Sequence, residues 1–135
     1  MPELDFAFLA DYVRADGGLG HAIAIGIDRV LVSDVPAGQN LGFMGSVSFT
    51  AAELGRPHRV EIIGLGEDGQ RLVTLSSDML PVLEPWMDPS LPVKTMIALN
   101  FGMPFPDYGR YSIEVLIDDR SVRQLGLVVS PALGR

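Results

Sequence analysis

The chain has 135 residues, of which 47% are hydrophobic, and its formal net charge is −7. This length and hydrophobic share predict a single folded domain over residues 1–135, because disordered chains combine low hydrophobicity with high charge. The acidic charge is spread along the chain and repels phosphate backbones, so we expect no nucleic-acid partner.

Cysteine is absent from the sequence, and the apolar runs are short. The absence of cysteine excludes disulfides and thiolate chemistry and suits a reducing compartment. No apolar run approaches the roughly 18 residues that a membrane-spanning helix requires, so we expect no membrane partner. Residues 1–16 carry acidic side chains where a secretion signal needs basic ones. We therefore expect a cytoplasmic protein.

The first predicted strands lie near the start of the chain. In Leu4 to Val13, apolar side chains occur at both odd and even positions, which predicts a strand covered on both faces. His21 to Val32 predicts a second strand, whose small alanine and glycine face lets another sheet approach closely. Ile23, Ala24 and Ile25 are expected at an open sheet edge, and strand pairing in a homodimer would cover that edge.

Residues 38–46, GQNLGFMGS, predict a flexible loop because they contain three glycines. The loop lacks the lysine, the following Ser or Thr and the helix that a phosphate-binding loop requires. Ser46 to Ala51 then alternates apolar and hydroxyl side chains, which predicts a half-buried strand. Thr50 and Glu53 have the spacing of a capping box, so Thr50 to Leu54 is either a short helical turn or the end of this strand.

A hairpin is predicted next, from Val60 to Leu65 and from Gln70 to Leu75. Asp68 and Gly69 between the two strands suit the positive φ angles of a tight turn. The acidic residues of this turn lack the alternating carboxylates of a dedicated calcium loop, so we expect a solvated turn and no metal.

Residues 78–92 contain four prolines. Proline removes an amide donor and fixes φ, so no central strand can run through this segment. The segment predicts a long connection that crosses between two sheets, with Trp86 or Met87 packed onto the core. Val93 to Phe101 follows as an alternating strand.

The segment DYGRYSI carries the most specific motif of the chain. Asp107, Gly109, Tyr111 and Ile113 reproduce the Asp-x-Gly-x-Tyr-x-Cys spacing of immunoglobulin-type sandwiches, with isoleucine in place of the cysteine. We expect Asp107 and Gly109 to form a corner turn, and the hydroxyl of Tyr111 to bond backbone across it. These residues are therefore structural.

The last predicted elements are the strand Tyr111 to Asp118 and a final hairpin that turns at residues 118–121. Together with the earlier segments they predict an all-β, immunoglobulin-like antiparallel β-sandwich of about seven to nine strands.

Several longer stretches carry a resemblance to a known family. They are FAFLADYV, GIDRVLV, AAELGRPHRVEIIGLGEDGQ and ALNFGMPFPDYGRYSIEVLID. In these stretches the chain resembles small bacterial proteins that are grouped only as a domain of unknown function. The resemblance covers nearly the full length of the chain. The resemblance implies a single β-sandwich domain, and it implies no activity, cofactor or catalytic residue.

The chain has two histidines, His21 and His58, and neither has ligand spacing to a carboxylate. No serine stands in the G-x-S-x-G spacing of a nucleophile elbow. We therefore expect no catalytic residue, no metal ligand and no cofactor. A small hydrolase or metal-dependent enzyme that uses His21 or His58 remains an alternative hypothesis.

Large apolar residues in the glycine-rich and proline-rich connections are the main functional candidates. They either plug the open ends of the sandwich or form a contact surface for another protein or a second copy of the chain. These residues are Phe43, Met44, Trp86, Met87, Met103, Phe105 and Tyr108.

The leading functional hypothesis is therefore a non-enzymatic protein-interaction or self-associating module. Binding of a glycan or small ligand beside Trp86 or Tyr108 is a further alternative, because sugar rings stack on aromatic side chains.

Overall fold

The computed structural model describes residues 1–132, and these residues form ten strands and one short 3-10 turn, with no α-helix. The strands are β1 (Glu3–Ala10), β2 (Tyr12–Asp16), β3 (Leu19–Ile23), β4 (Arg29–Val32), β5 (Ala37–Phe49), β6 (His58–Leu65), β7 (Arg71–Met79), β8 (Val93–Phe105), β9 (Gly109–Ile117) and β10 (Arg120–Pro131). The all-β prediction is confirmed. The described residues contain more strands than the seven to nine expected, because two predicted strands each break in two.

The strands form two main sheets, in the orders β1-β5-β8 and β4-β10-β9-β6-β7. The order β10-β9-β6-β7 corresponds to G-F-C-C′ of a variable-type immunoglobulin sheet, and β1-β5-β8 corresponds to A-B-E of the opposite sheet. The chain is therefore an immunoglobulin-like sandwich, as predicted. One pair departs from the antiparallel expectation, because β4 runs parallel to β10.

The core lies between the two sheets and follows the period-two pattern of the strands. In β9, Tyr111, Ile113, Val115 and Ile117 are all buried, whereas the residues between them are half-buried. Ile113 is almost fully buried at the position of the usual cysteine. An apolar side chain buried to this degree contributes about 1.5–3 kcal/mol, which holds the sheets together without a disulfide.

The hairpin β2-β3 forms a third, smaller layer on the outer face of β1-β5-β8. Val13 of the hairpin is buried against Ala10 and Met44, with Met96 packed at the edge of this cluster. The side-chain amide of Asn100 fastens the hairpin: it accepts from the Val13 amide at 3.0 Å and donates to the Val13 carbonyl at 2.8 Å. The outer face of β5 is thereby covered.

The predicted loop over residues 38–46 is wrong, because these residues lie inside β5. The middle of β5 is buried on both faces, by the opposite sheet and by the hairpin, so its sequence does not alternate. Gly42 lets the hairpin approach closely, since a Cβ there would lie 2.9 Å from Cγ1 of Val13. The glycines permit contact between layers and do not make a flexible turn.

Two predicted strands are interrupted. The segment from Leu4 to Val13 breaks at Asp11, between β1 and β2. The segment from His21 to Val32 breaks after Ile23, because Ala24 and Gly26 adopt positive φ angles of 59° and 88°. This bend returns the chain to β1, where the Gly26 amide donates to the Leu9 carbonyl at 2.8 Å.

The hairpin β6-β7 has a five-residue connection, not the predicted two-residue turn, because Leu65 pairs with Arg71. Only Gly69 takes a positive φ, of 83°, and Asp68 accepts from the Gln70 amide at 3.0 Å. The capping-box residues form as predicted: Glu53 Oε1 accepts from the Thr50 amide at 2.8 Å, and the 3-10 turn Ala51–Glu53 follows. None of the described residues forms a helix with the length and apolarity needed to span a membrane.

Candidate functional site

Four of the seven apolar candidate residues lie in strand interiors and not in connections, which corrects the prediction. Each is buried and unavailable to a partner: Phe43, Met44, Met103 and Phe105. The first two belong to β5, and the other two belong to the end of β8, which continues beyond the predicted boundary at Phe101. The glycines and prolines beside them led to the loop prediction, but Gly42, Gly45, Gly102 and Pro104 lie within the same two strands.

The other three candidates lie at the surface. Trp86 has 79% of its surface exposed and is not packed on the core, contrary to the prediction for this residue. Met87 is half-buried beside it. Tyr108 is 39% exposed, and its hydroxyl donates to the Ser33 carbonyl at 3.1 Å.

The local sequence around Trp86 folds as a proline-initiated turn. Pro85 stands at the second position of this turn, where its fixed φ is favourable, and the Met87 amide donates to the Glu84 carbonyl at 3.0 Å. Trp86 occupies the third position, so its side chain projects from a constrained backbone. The backbone that carries the exposed indole is therefore constrained before any partner arrives.

A second proline turn follows at once. Pro89 again stands at the second position, and the Leu91 amide donates to the Asp88 carbonyl at 3.1 Å. Asp88 Oδ1 accepts from the Ser90 amide at 2.9 Å and from the Ser90 hydroxyl at 2.7 Å. These hydrogen bonds lower the pKa of Asp88. The Asp88 carboxylate is thus occupied by its own turn.

The two turns face the tip of the β2-β3 hairpin and enclose a groove of about 580 Å³, which we call the Trp86 groove. Its lining is Gly17, Gly18, Trp86, Met87, Asp88, Leu91, Pro92, Val93 and Lys94. The hairpin side has two glycines with open space above them, so a bound chain can approach the backbone there. The connection side is mainly apolar, and Leu91 is 63% exposed.

Sequence reasoning selected Trp86 and Met87 but missed the rest of this groove. Gly17 and Gly18 have positive φ angles of 59° and 79° and form the hairpin tip. The Gly-Gly pair was a recognisable turn signal between two short strands. No sequence signal places that tip next to a connection some 70 residues later, because only the third layer brings them together.

His58 is the histidine that the structure places in a polar cluster. Its side chain is only 8% exposed; Nδ1 lies 2.7 Å from Asp118 Oδ2, and Nε2 lies 2.8 Å from the Glu53 carbonyl oxygen. Both partners accept hydrogen bonds, so both ring nitrogens donate and the imidazole is cationic. Burial by itself lowers the pKa of His58, but the hydrogen bonds to Asp118 and to the Glu53 carbonyl outweigh burial and raise it above 6.5.

The carboxylates of this cluster are held by the same contacts. Burial raises the pKa of Asp118, but the hydrogen bonds from His58 and from the Arg59 amide outweigh that effect and lower it below 3.8. Glu53 is buried, accepts from Thr50 and lies 2.6 Å from the amino nitrogen of Met1. Burial raises the pKa of Glu53, and these bonds lower it overall. The cluster ties β6, β9 and the 3-10 turn together.

The cluster presents neither nitrogen of His58 to a substrate or a metal. Nδ1 is engaged by Asp118 and Nε2 by the Glu53 carbonyl, so in this arrangement both ring nitrogens are used within the protein. His21 is exposed on β3 and has no hydrogen-bonded carboxylate among residues 1–132. Within that range no group of three or more side chains is arranged to hold a metal ion.

The corner motif is assembled around Tyr111. Its hydroxyl donates to the Asp107 carbonyl at 2.5 Å and accepts from the Asp107 amide at 3.1 Å. The ring is buried and packs edge-on against Phe105 at 5.0 Å. Gly109 has a φ of 137°, which explains the glycine at that position. A second depression, of about 530 Å³, lies beside this corner and Tyr108.

The sequence and the structure are each similar to known proteins. The model of a family of unknown function (DUF6941) matches residues 5–130. No curated protein matches the sequence. An immunoglobulin-like protein from Pseudomonas aeruginosa has a similar structure: the sequence identity is 13%, the match covers 96% of this chain and 97% of that chain, and the TM-score is 0.46.

Proposed function

We propose, from the premise that this chain belongs to a family of unknown function (DUF6941), that it is a non-enzymatic interaction module of the bacterial cytoplasm. Its recognition site is the Trp86 groove, and the occupant is an apolar segment of another protein. The exposed and constrained Trp86 is the observation that carries this proposal.

An exposed tryptophan on a constrained turn can bind a partner with a small loss of conformational entropy. Tryptophan is enriched among the residues that dominate binding energy, because it buries a large area with only two side-chain torsions. Consecutive turns at Pro85 and Pro89 fix the backbone on both sides of Trp86, so little conformational entropy is lost on binding. Met87 and Leu91 extend the apolar surface beside the indole.

The charges of the groove indicate which segment it accepts. Lys94 forms no salt bridge with any residue that the structure describes, and Asp88, one of whose oxygens accepts from Ser90, keeps its negative charge. A partner segment with apolar side chains and an acidic residue placed at Lys94, away from Asp88, therefore complements the groove. The chain's net charge of −7 disfavours nucleic acid and anionic lipid as occupants.

The proposal is tested by placing a photo-crosslinking amino acid at position 91, in the same groove as Trp86, in cells that naturally produce the protein. We expect discrete cross-linked products that contain another protein, and we expect Trp86→Ser to abolish them by removing the indole from the groove. A crosslinker at position 31 is the matched control, because Leu31 is a similarly exposed apolar residue on β4. Equal products from positions 91 and 31 would refute the proposal.

A glycan or small ligand is the second candidate occupant, favoured by the concave shape of the groove beside an indole. Trp86 is the only tryptophan of the chain, so intrinsic fluorescence reports directly on this site. Titration with a panel of oligosaccharides should then shift the emission to shorter wavelength. An unchanged emission across the panel would exclude sugars and leave the protein segment as the occupant.

A further inference from the structure

The strand β3 is an open sheet edge. Within residues 1–132 its only strand neighbour is β2, and four of its five residues are exposed. Leu19 and Ile23 at its ends are 67% and 61% exposed. An edge of this kind presents unpaired backbone amides and carbonyls to any chain that can pair with them.

The other edge strands carry residues that oppose pairing, and β3 does not. Charged side chains and prolines are the usual protection of an edge. Such residues occur in each of the other five edge strands: Glu3 and Asp5 in β1, Arg14 and Asp16 in β2, Arg29 in β4, Arg71 and Asp78 in β7, and Lys94 and Pro104 in β8. Residues 19–23, LGHAI, contain neither a proline nor an acidic residue, lysine or arginine.

The pattern of β3 is symmetric about its central residue. Leu19 and Ile23 are large and apolar, Gly20 and Ala22 are small, and His21 lies between them. When two such strands pair antiparallel about His21, each Leu19 faces an Ile23 and each Gly20 faces an Ala22. A two-fold interface requires this self-complementarity, because the same patch must match itself.

The strand β2 extends the matching surface. On the outward face of the hairpin, Tyr12 pairs with Ile23, and Asp16 pairs with Leu19. Joining two hairpins through β3 places Leu19 of the second copy beside Ile23 and Tyr12 of the first. The two-fold axis repeats this row on the other side of His21, and each row ends at Asp16 of the copy that supplies Leu19. The apolar pairs within such rows stabilise a sheet.

The opposite face of the hairpin is already supported. Val13 and Ala22 pack on the outer face of β5 and β8, so the inner side of an enlarged sheet needs no additional cover. An isolated two-stranded hairpin is only marginally stable, whereas four strands backed by a packed layer are a stable arrangement.

We infer that a second copy of this chain pairs with β3 in antiparallel register about His21, which joins two β2-β3 hairpins into one four-stranded sheet. This goes beyond the proposed function, because the β3 edge and the Trp86 groove are different surfaces. Five residues from each chain make a small interface, so the dimer is weak and forms in the micromolar range.

The register is tested with single cysteines, because the chain has none of its own. Residues that face each other across antiparallel strands have Cα atoms about 4.5–5.5 Å apart, within the range of a disulfide. His21→Cys should therefore form a disulfide-linked dimer under mild oxidation. Leu19→Cys should not, because its two copies lie about 13 Å apart along the strands. The double variant Leu19→Cys, Ile23→Cys should form a disulfide-linked dimer, because position 19 of one copy faces position 23 of the other.

Leu31→Cys, which places an exposed thiol on β4, measures random collision. Two results would overturn the inferred register. The first is that His21→Cys cross-links no faster than Leu31→Cys. The second is that Leu19→Cys cross-links as fast as His21→Cys. In sedimentation experiments, the unmodified chain should dimerise by about 100 μM, and His21→Lys should weaken the dimer severalfold by facing two like charges.

A chain that stays monomeric at 100 μM would overturn the inference outright. Photo-crosslinking from position 91 does not depend on this pairing, so failure of the β3 dimer and failure of the Trp86 groove are distinguishable.

Discussion

At the scale of single residues, Tyr111 shows how one side chain fixes the corner turn that leads into a strand. Its hydroxyl both donates to and accepts from the backbone of Asp107, while its ring fills the core against Phe105. The corner before β9 is therefore fixed by a buried polar contact and by apolar packing together.

Replacing Tyr111 with phenylalanine removes the hydroxyl and keeps the ring. The Asp107 carbonyl and amide then lose their partner, so Tyr111→Phe should reduce the free energy of unfolding by about 1 kcal/mol or somewhat more. Urea denaturation followed by circular dichroism measures this change. Tyr108→Phe is the control, because its hydroxyl also donates to a backbone carbonyl but is exposed, and it should have a smaller effect.

The pair His58 and Asp118 predicts a pH-dependent stability. The raised pKa of His58 means that its contribution is complete below pH 6.5 and is lost as pH rises through the higher folded-state pKa. The lowered pKa of Asp118 means that its contribution is complete above pH 3.8 and is lost as pH falls through the lower folded-state pKa. The pair therefore stabilises the fold most between these two values.

The measurement is the difference in melting temperature between the unmodified chain and His58→Gln, followed from pH 3 to pH 9. This difference should be largest near pH 5 and should shrink in both directions. His21→Gln is the control, because His21 is the other histidine of the chain and is exposed. A flat profile for His58→Gln would contradict the ion pair.

The corner contact of Tyr111 could be predicted from the sequence, whereas the contact between His58 and Asp118 could not. The corner motif is local, since Tyr111 bonds a residue four positions away. His58 bonds a carboxylate 60 positions away, and only the pairing of β6 with β9 brings the two together. A contact of this sequence separation leaves no local spacing that a single sequence can reveal.

At the scale of elements, the hairpin β2-β3 explains the main errors of sequence interpretation. Alternating apolar and polar residues indicate a strand only when one face of the strand is buried and the other is exposed to solvent. The hairpin buries the second face of β5 at Met44. The sequence of β5 therefore does not alternate between apolar and polar residues, and it predicts a loop. By contrast, β9 has no such cover, and its alternation predicted its residues correctly.

Asn100 is the polar contact that fixes this hairpin. Asn100→Ala leaves the buried amide and carbonyl of Val13 without their partner, which should destabilise the hairpin by about 1–3 kcal/mol. Hydrogen exchange of the β2 and β3 amides should accelerate while that of β9 stays unchanged. Asn40→Ala, at an exposed position of β5, is the matched control. Equal acceleration in β9 would show that the hairpin does not open as a separate unit.

At the scale of the whole molecule, the sandwich is held by pairs that are distant in sequence. The first sheet joins β1 to β5 and β5 to β8, and the second sheet joins β4 to β10. All-β topologies of this kind fold slowly, because long loops must close before the contacts form. The fold class was predictable from local patterns, whereas the third layer and the Trp86 groove depend on these long-range contacts.

This topology predicts refolding in milliseconds to seconds after dilution from denaturant. Stopped-flow circular dichroism measures it, because the exposed Trp86 changes its surroundings little on folding. Val13→Ala, in the hairpin layer, should leave this rate almost unchanged if the sandwich forms before the hairpin docks. Refolding in microseconds would contradict a transition state that contains long-range strand pairs.

The position of Lys94 has a practical consequence. It is the only lysine of the chain, and it lines the Trp86 groove. Coupling the protein to a sensor chip through this lysine side chain would therefore attach the molecule by the groove and hide the groove from the solution. A search for ligands by that route would return false negatives, whereas attachment through an engineered tag on another face would leave the groove open.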